Sequence, residues 1–154
     1  MRPRMCEARQ RGFTLVELVV TMAIVAILTA IAIPSYTAYI MRSNRSDARA
    51  QLLEVATWME RWRTERGRYD NPASVGNPPP TPPFPIAYTQ SPSPPSAAKY
   101  NIVVATPTAV GYTITATATG MMTGDICTTL TITETGLRGF TTGGGGTQDI
   151  CWGR

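Results

Sequence analysis

The chain has 154 residues, enough for one ordinary domain beside a membrane segment and too few for two full domains. Its formal charge of +4 is unevenly spread: residues 1–12 hold Arg2, Arg4, Arg9 and Arg11 against Glu7, a net of +3, and the remainder carries +1. The absence of histidine removes the commonest general base and metal ligand, and the three cysteines have no zinc-like spacing.

Behind the basic tail, Phe13 to Ile33 form a run of 21 residues in which Glu17 is the only charged one. As a helix the run would reach roughly 32 Å, enough to cross the hydrocarbon core of a bilayer. A basic tail ahead of it predicts a cytoplasmic N-terminus. An ordinary secretory signal would place small residues for cleavage after the apolar segment; here Pro34-Ser35-Tyr36 leads directly into a second helical pattern, so the run is expected to be retained. A carboxylate five residues into such a run is costly in lipid and marks a functional candidate.

The stretch Gly12-Phe13-Thr14-Leu15-Val16-Glu17-Leu18, between a short basic leader and the apolar run, resembles the N-terminus of a type IV pilin precursor. The resemblance implies cleavage between Gly12 and Phe13 by a membrane-embedded prepilin peptidase, N-methylation of Phe13, and an assembly role for Glu17. The implied partners are other pilin subunits, the peptidase, an inner-membrane assembly platform and an assembly ATPase. The implied location is the inner membrane as a single-pass precursor, then an extracellular pilus. Physical reasoning agrees: cleavage creates a positive amine at Phe13, and Glu17 of a neighbouring helix could neutralise it and set the register between two otherwise featureless apolar helices.

Pro34 ends the run and predicts a kink or local melt near residues 30–34, a proline that many pilins share. From Tyr36 to Arg66 no glycine or proline interrupts the chain, and Ala48, Leu52, Val55, Met59 and Trp62 recur at helical spacing on one face. Arg45, Asp47, Arg49, Glu54, Glu60, Arg61, Arg63 and Glu65 read as the solvated face. Gly67 is a natural stop. Segments are therefore expected at 1–12 (leader), 13–34 (membrane and assembly helix), 35–67 (amphipathic half of the same helix), 68–98 (loop) and 99–154 (sheet and C-terminal loop).

Residues 72–98 hold ten prolines in 27 positions, too many for a helix or a central strand. An irregular surface loop is expected, open to neighbours or to glycan attachment at its serines. Beyond it, Tyr100, Ile102 and Val104, then Tyr112, Ile114, Ala116 and Ala118, then Leu130 and Ile132 alternate with polar residues, mostly threonine. With a fourth short strand near residues 137–141, this predicts a half-buried antiparallel sheet. The expected fold is α+β: a long N-terminal helix packed on four antiparallel strands, as in pilins, with the threonine face outward.

Cys6 would leave with the leader. Cys127 and Cys151 fall on the oxidising side and permit one disulfide across the tetraglycine Gly143–Gly146, and pilins carry a similar C-terminal disulfide loop. Asp125 and Asp149 lie near these cysteines, a weak basis for calcium, and no catalytic set, phosphate loop or cofactor motif stands out. The leading expectation is a structural subunit of a type IV pilus, major or minor, serving adhesion, motility or DNA uptake, rather than an enzyme. The rivals are a type II secretion pseudopilin and a membrane-anchored binding domain that never polymerises. Weak DNA binding is a further candidate role, since residues 42–68 carry seven arginines against four acids.

Overall fold

The computed structural model describes residues 12–71, 85–105 and 107–153. Residues 1–11, which hold the expected leader and Cys6, and the proline-rich stretch 72–84 lie outside the described residues. The chain divides into two units, Met1–Ala38 and Tyr39–Arg154.

Helix α1 runs from Leu15 to Arg66 and supplies residues to both units. In the first unit its side chains are exposed on every face, from Leu15 at 79% to Ile31 at 68%. Apolar on all sides and exposed among the described residues, this segment needs an apolar surrounding. Its threonine hydroxyls are satisfied internally: Thr21 donates to the Leu18 carbonyl, Thr29 to the Val25 carbonyl and Thr37 to the Pro34 carbonyl. Such bonds remove the cost of a lone donor in lipid. Pro34 lies inside the helix, and residues 30–34 keep helical geometry, so the local melt that proline invites is absent.

In the second unit α1 becomes amphipathic as its spacing requires. Ala48, Leu52, Val55 and Met59 are fully buried and Trp62 nearly so. Arg66 closes the helix, the Gly67 N–H returns to the Arg63 carbonyl, and Gly67 takes a φ of 75°. That conformation costs glycine little and any other residue more.

The sheet has five strands in sequential order, all antiparallel: β1 (Gln90–Ser91), β2 (Tyr100–Ala105), β3 (Thr113–Ala118), β4 (Cys127–Thr133) and β5 (Arg138–Thr142). This corrects the expectation of four strands. The added strand, β1, is a two-residue edge reached from a 3-10 turn at Ile86–Tyr88, and an edge is the one place where a proline-rich segment can pair. Val104↔Ile114↔Ile132 and Ile102↔Ala116↔Leu130 form apolar rows across β2, β3 and β4. With the α1 stripe these rows form the core. At roughly 1.5–3 kcal/mol for each large side chain buried, this contact holds the second half of α1 on the sheet within the second unit. The opposite face presents Thr113↔Thr133, Thr115↔Thr131 and Thr117↔Thr129.

After β5 the glycine-rich segment leads into a short helix, α2 (Gln148–Trp152), which no periodicity announced. Thr147 caps it by accepting from the Ile150 N–H, and Cys151 and Trp152 are buried in the core.

Candidate functional site

The N-terminal junction is built from adjacent residues. Among the described residues nothing lies within 4 Å of where a Gly12 Cβ would stand, Phe13 is 85% exposed, and none of them covers the Gly12–Phe13 bond. Thr14 and Glu17 form a reciprocal pair: the Glu17 N–H donates to Thr14 Oγ1 at 3.2 Å, and the Thr14 N–H donates to Glu17 Oε2 at a long 3.5 Å. This is a capping box, which satisfies two helix-terminal donors and puts a negative charge at the positive end of the helix. Its signature, Thr-x-x-Glu before an apolar run, stands in the sequence. Reading Glu17 only as an intersubunit charge overlooks it.

A second arrangement lies in the folded unit. Arg45 is 5% exposed and Asp125 3% exposed. Arg45 donates from Nε to Asp125 Oδ2 at 3.0 Å, from Nη2 to Oδ1 at 2.7 Å, and from Nη1 to the Ile150 carbonyl at 2.9 Å. Tyr100 donates its hydroxyl to Asp125 Oδ2 at 3.2 Å, with the Cys127 carbonyl at 3.3 Å. Burial, then the Asp125 charge and hydrogen bond, push the Tyr100 pKa well above the ordinary phenol value. Arg45 is thus no part of the solvated face. It lies three residues before Ala48 and continues the spacing of the buried stripe, a phase readable in the sequence. Asp125 is committed to this ion pair, which removes it from the calcium notion. Among the described residues no three potential ligands gather as a metal site.

The clamp adjoins the Cys127–Cys151 disulfide, whose half-cystines stand 24 positions apart. Around the same C-terminal segment lies a basic edge. Arg138 stands over the Trp152 ring, 5.4 Å from its centroid. Arg49 is pressed on Gly153, where an added Cβ would come within 2.6 Å of Nη1. Burial, then the charges of Arg45 and Arg138, lower the Arg49 pKa from the ordinary guanidinium value.

Residues 34–131 match the family described as type IV minor pilin ComP, DNA uptake sequence receptor. The chain belongs to that family. Residues 8–33 match the prokaryotic N-terminal methylation motif, so the two matches together run from residue 8 into β4. This pilin is 39% identical over 71 residues to the type IV major pilin protein PilA of Myxococcus xanthus, covering 46% of this chain and 32% of that one. It is 40% identical over 75 residues to the prepilin peptidase-dependent protein D of Escherichia coli, covering 47% and 51%. It thus spans between a third and about half of the length of these curated relatives. A solved type IV pilin from Shewanella oneidensis is 24% identical, with 64% of this chain and 89% of that one covered and a TM-score of 0.43. The matches place the chain among type IV pilins, major or minor, rather than secretion pseudopilins.

Proposed function

We propose that this pilin is inserted in the inner membrane with its N-terminus cytoplasmic. A prepilin peptidase cuts it between Gly12 and Phe13 and methylates Phe13, and an assembly platform polymerises it with other subunits through α1. The structural role, with no catalysis of its own, follows from the same reading. One observation carries it: a Gly12–Phe13 bond that none of the described residues covers stands directly before a capped helix that is apolar on every face. Glu17 then serves twice. Within the subunit it caps the helix; between subunits it neutralises the new Phe13 amine, which would otherwise be costly in a low-dielectric bundle. Pro34 gives α1 a point of bending between its membrane and folded halves.

The test separates the two tasks of Glu17. Glutamine also serves at the third position of a capping box, so Glu17→Gln keeps the cap and loses the charge. Both Glu17→Gln and Glu17→Ala are expected to be inserted and processed but absent from sheared surface filaments. Mass spectrometry of wild-type filaments should find N-methylated Phe13. Normal filaments from Glu17→Gln would sink the charge-pairing step.

A second reading, DNA binding, is favoured by the family's description as a DNA uptake sequence receptor and by the Arg49–Arg138 edge. Neutralising phosphates releases counterions, so affinity should fall linearly on a log–log plot against salt. Removing Arg49 and Arg138 should reduce that slope by about 0.9 for each phosphate no longer neutralised. Affinity independent of salt would end this reading.

A further inference from the structure

The 3-10 turn Gly120–Gly124, between β3 and β4, presents Met121 to solvent, 55% exposed, while its neighbour Met122 is fully buried. The turn is held in shape. Gly120 takes a φ of 58°, Thr123 donates its hydroxyl to the Gly120 carbonyl at 2.9 Å, and the Asp125 N–H donates to the Met122 carbonyl at 2.9 Å. Two contacts pin it to the first residues of α1 within the second unit. Asn44 Nδ2 meets Met122 Sδ at 3.6 Å, and Arg45 grips Asp125, the residue that follows the turn. Met121 therefore lies at the end of the second unit where the chain enters it from the apolar run. Lys99, just ahead of β2, reaches the same place: its Nζ stands 3.4 Å from Met121 Sδ. The ion pairs among the described residues are Arg45–Asp125 and Arg68–Asp70, so no carboxylate there holds Lys99. A thioether is a weak acceptor, which leaves most of the ammonium's hydrogen-bonding capacity open.

A lone exposed methionine needs no explanation. The neighbours of this one select a surrounding. It shares its end of the unit with the Lys99 ammonium and with Tyr39, the first residue of the unit and 62% exposed. Neither residues 39–44 nor residues 119–124 include an acid. An apolar group, a cation and a phenol together fit the boundary of a bilayer, where phosphates overlie acyl chains. The reach is sufficient. Six residues carry the chain from Ile33, the last of the apolar run, to Tyr39, and even fully extended they span only about 20 Å. The opposite end of the sheet is chemically different. Lys99 and the turn stand at the Tyr100↔Ala118 end, whereas exposed Val110 stands at the Ala105↔Thr113 end, where the Glu134 carboxylate lies against Gly111. We propose that, while the subunit is held in the membrane, the 120–124 turn docks on the bilayer surface, with Met121 at the acyl boundary and Lys99 on an anionic lipid phosphate. The inference rests on the membrane reading above and uses neither filament assembly nor DNA binding.

The test uses the full chain in nanodiscs loaded with a single copy, made of phosphatidylcholine alone or with about 30% phosphatidylglycerol as the anionic lipid. Some of the lipids carry a nitroxide high on the acyl chain, and its paramagnetic broadening is read at the Met121 methyl and at the Val110 methyls. In parallel, vesicles of the same lipids that hold the chain are washed with sodium carbonate. The chain should stay with the vesicles. Met121 should broaden strongly and Val110 little, more so with phosphatidylglycerol and less so as salt is added. Lys99→Gln should lower the ratio of docked to free unit about fivefold, the loss expected for one cation at an anionic surface. Met121→Asp, at an exposed position, should abolish the broadening at the Thr123 amide. A chain washed off by carbonate would overturn the membrane reading and this inference with it. With the chain retained, three outcomes would overturn the inference alone: Met121 broadened no more than Val110, broadening unchanged in both variants, or a Met121 response that appears only when two copies share a nanodisc, which would assign the patch to a second copy.

Discussion

Taking a guanidinium out of water is worthwhile only if nearly all of its donors find partners, and Arg45 uses Nε and both terminal nitrogens on Asp125 and the Ile150 carbonyl. Removing one partner leaves the other charged and dry. Asp125→Ala should therefore lower unfolding free energy by about 3–5 kcal/mol, while the Arg45→Met/Asp125→Leu pair should lose much less. Denaturant titration of the single and double variants decides it, and equal losses would show that the ion pair is not what matters there. Gly139 poses a smaller problem of fit. It pairs with Thr131 across β4 and β5, and an added Cβ would stand 2.5 Å from Thr131 Oγ1 but 3.9 Å from its Cβ. Gly139→Ala should cost about 1–3 kcal/mol of overpacking. Thr131→Ala should recover most of that loss in the double variant, measured as the shift in melting temperature. At this scale the sequence was readable where chemistry is local or phase is explicit. Thr14-x-x-Glu17 is a signature, and Arg45 stands on the buried phase of its helix. Asp125 carried no such mark, since its partner lies 80 residues away and only the fold brings the two together.

Elements were legible in proportion to their period. The α1 stripe and the alternation in β2, β3 and β4 are long enough to state which face is buried, and those faces form the core. Strand β1 and helix α2 are too short to show a period. One is decided by pairing with β2, the other by a threonine cap and a covalent bond to β4. The elements are also tied by tyrosines: Tyr112 on the sheet side donates to Glu60 of α1 at 3.3 Å, and Tyr100 reaches Asp125. Burial first, then the Glu60 charge, raise the Tyr112 pKa, as burial and Asp125 raise that of Tyr100. Both folded values thus exceed the unfolded value of about 10, and the neutral phenol is the form that folding favours. The stabilisation is complete below about pH 10. Above it the unfolded chain sheds protons that the folded chain retains, so stability should fall by about 1.4 kcal/mol per pH unit for each tyrosine. Tyr112→Phe should flatten that decline in melting experiments between neutral and strongly alkaline pH; an unchanged slope would show that the hydroxyl ionises freely in the folded chain.

For the molecule as a whole, the disulfide decides how much of the sheet domain stays ordered. The segment between Cys127 and Cys151 includes the four glycines, which without restraint have more conformational freedom to lose than any other residue. Closing a loop of 24 positions removes about 3.5 kcal/mol of that freedom from the unfolded chain in the entropic account. The folded end is held by separate contacts as well: Arg45 on the Ile150 carbonyl, Trp152 Nε1 on the Gly139 carbonyl at 2.7 Å, and the Thr147 cap. Cutting the bond should therefore loosen the C-terminal segment without dismantling the sheet, because the β2, β3 and β4 pairing and the α1 stripe do not pass through it. Replacing both cysteines with serine should lower stability by about 3 kcal/mol. It should also speed hydrogen exchange at the residue-151 amide of α2 and at its capping Gly153 amide by far more than at the Ile114 and Ala116 amides of β3. Uniform acceleration across both elements would mean that the domain unfolds as one unit and that the clamp at Arg45 has no independent hold on its C-terminal end.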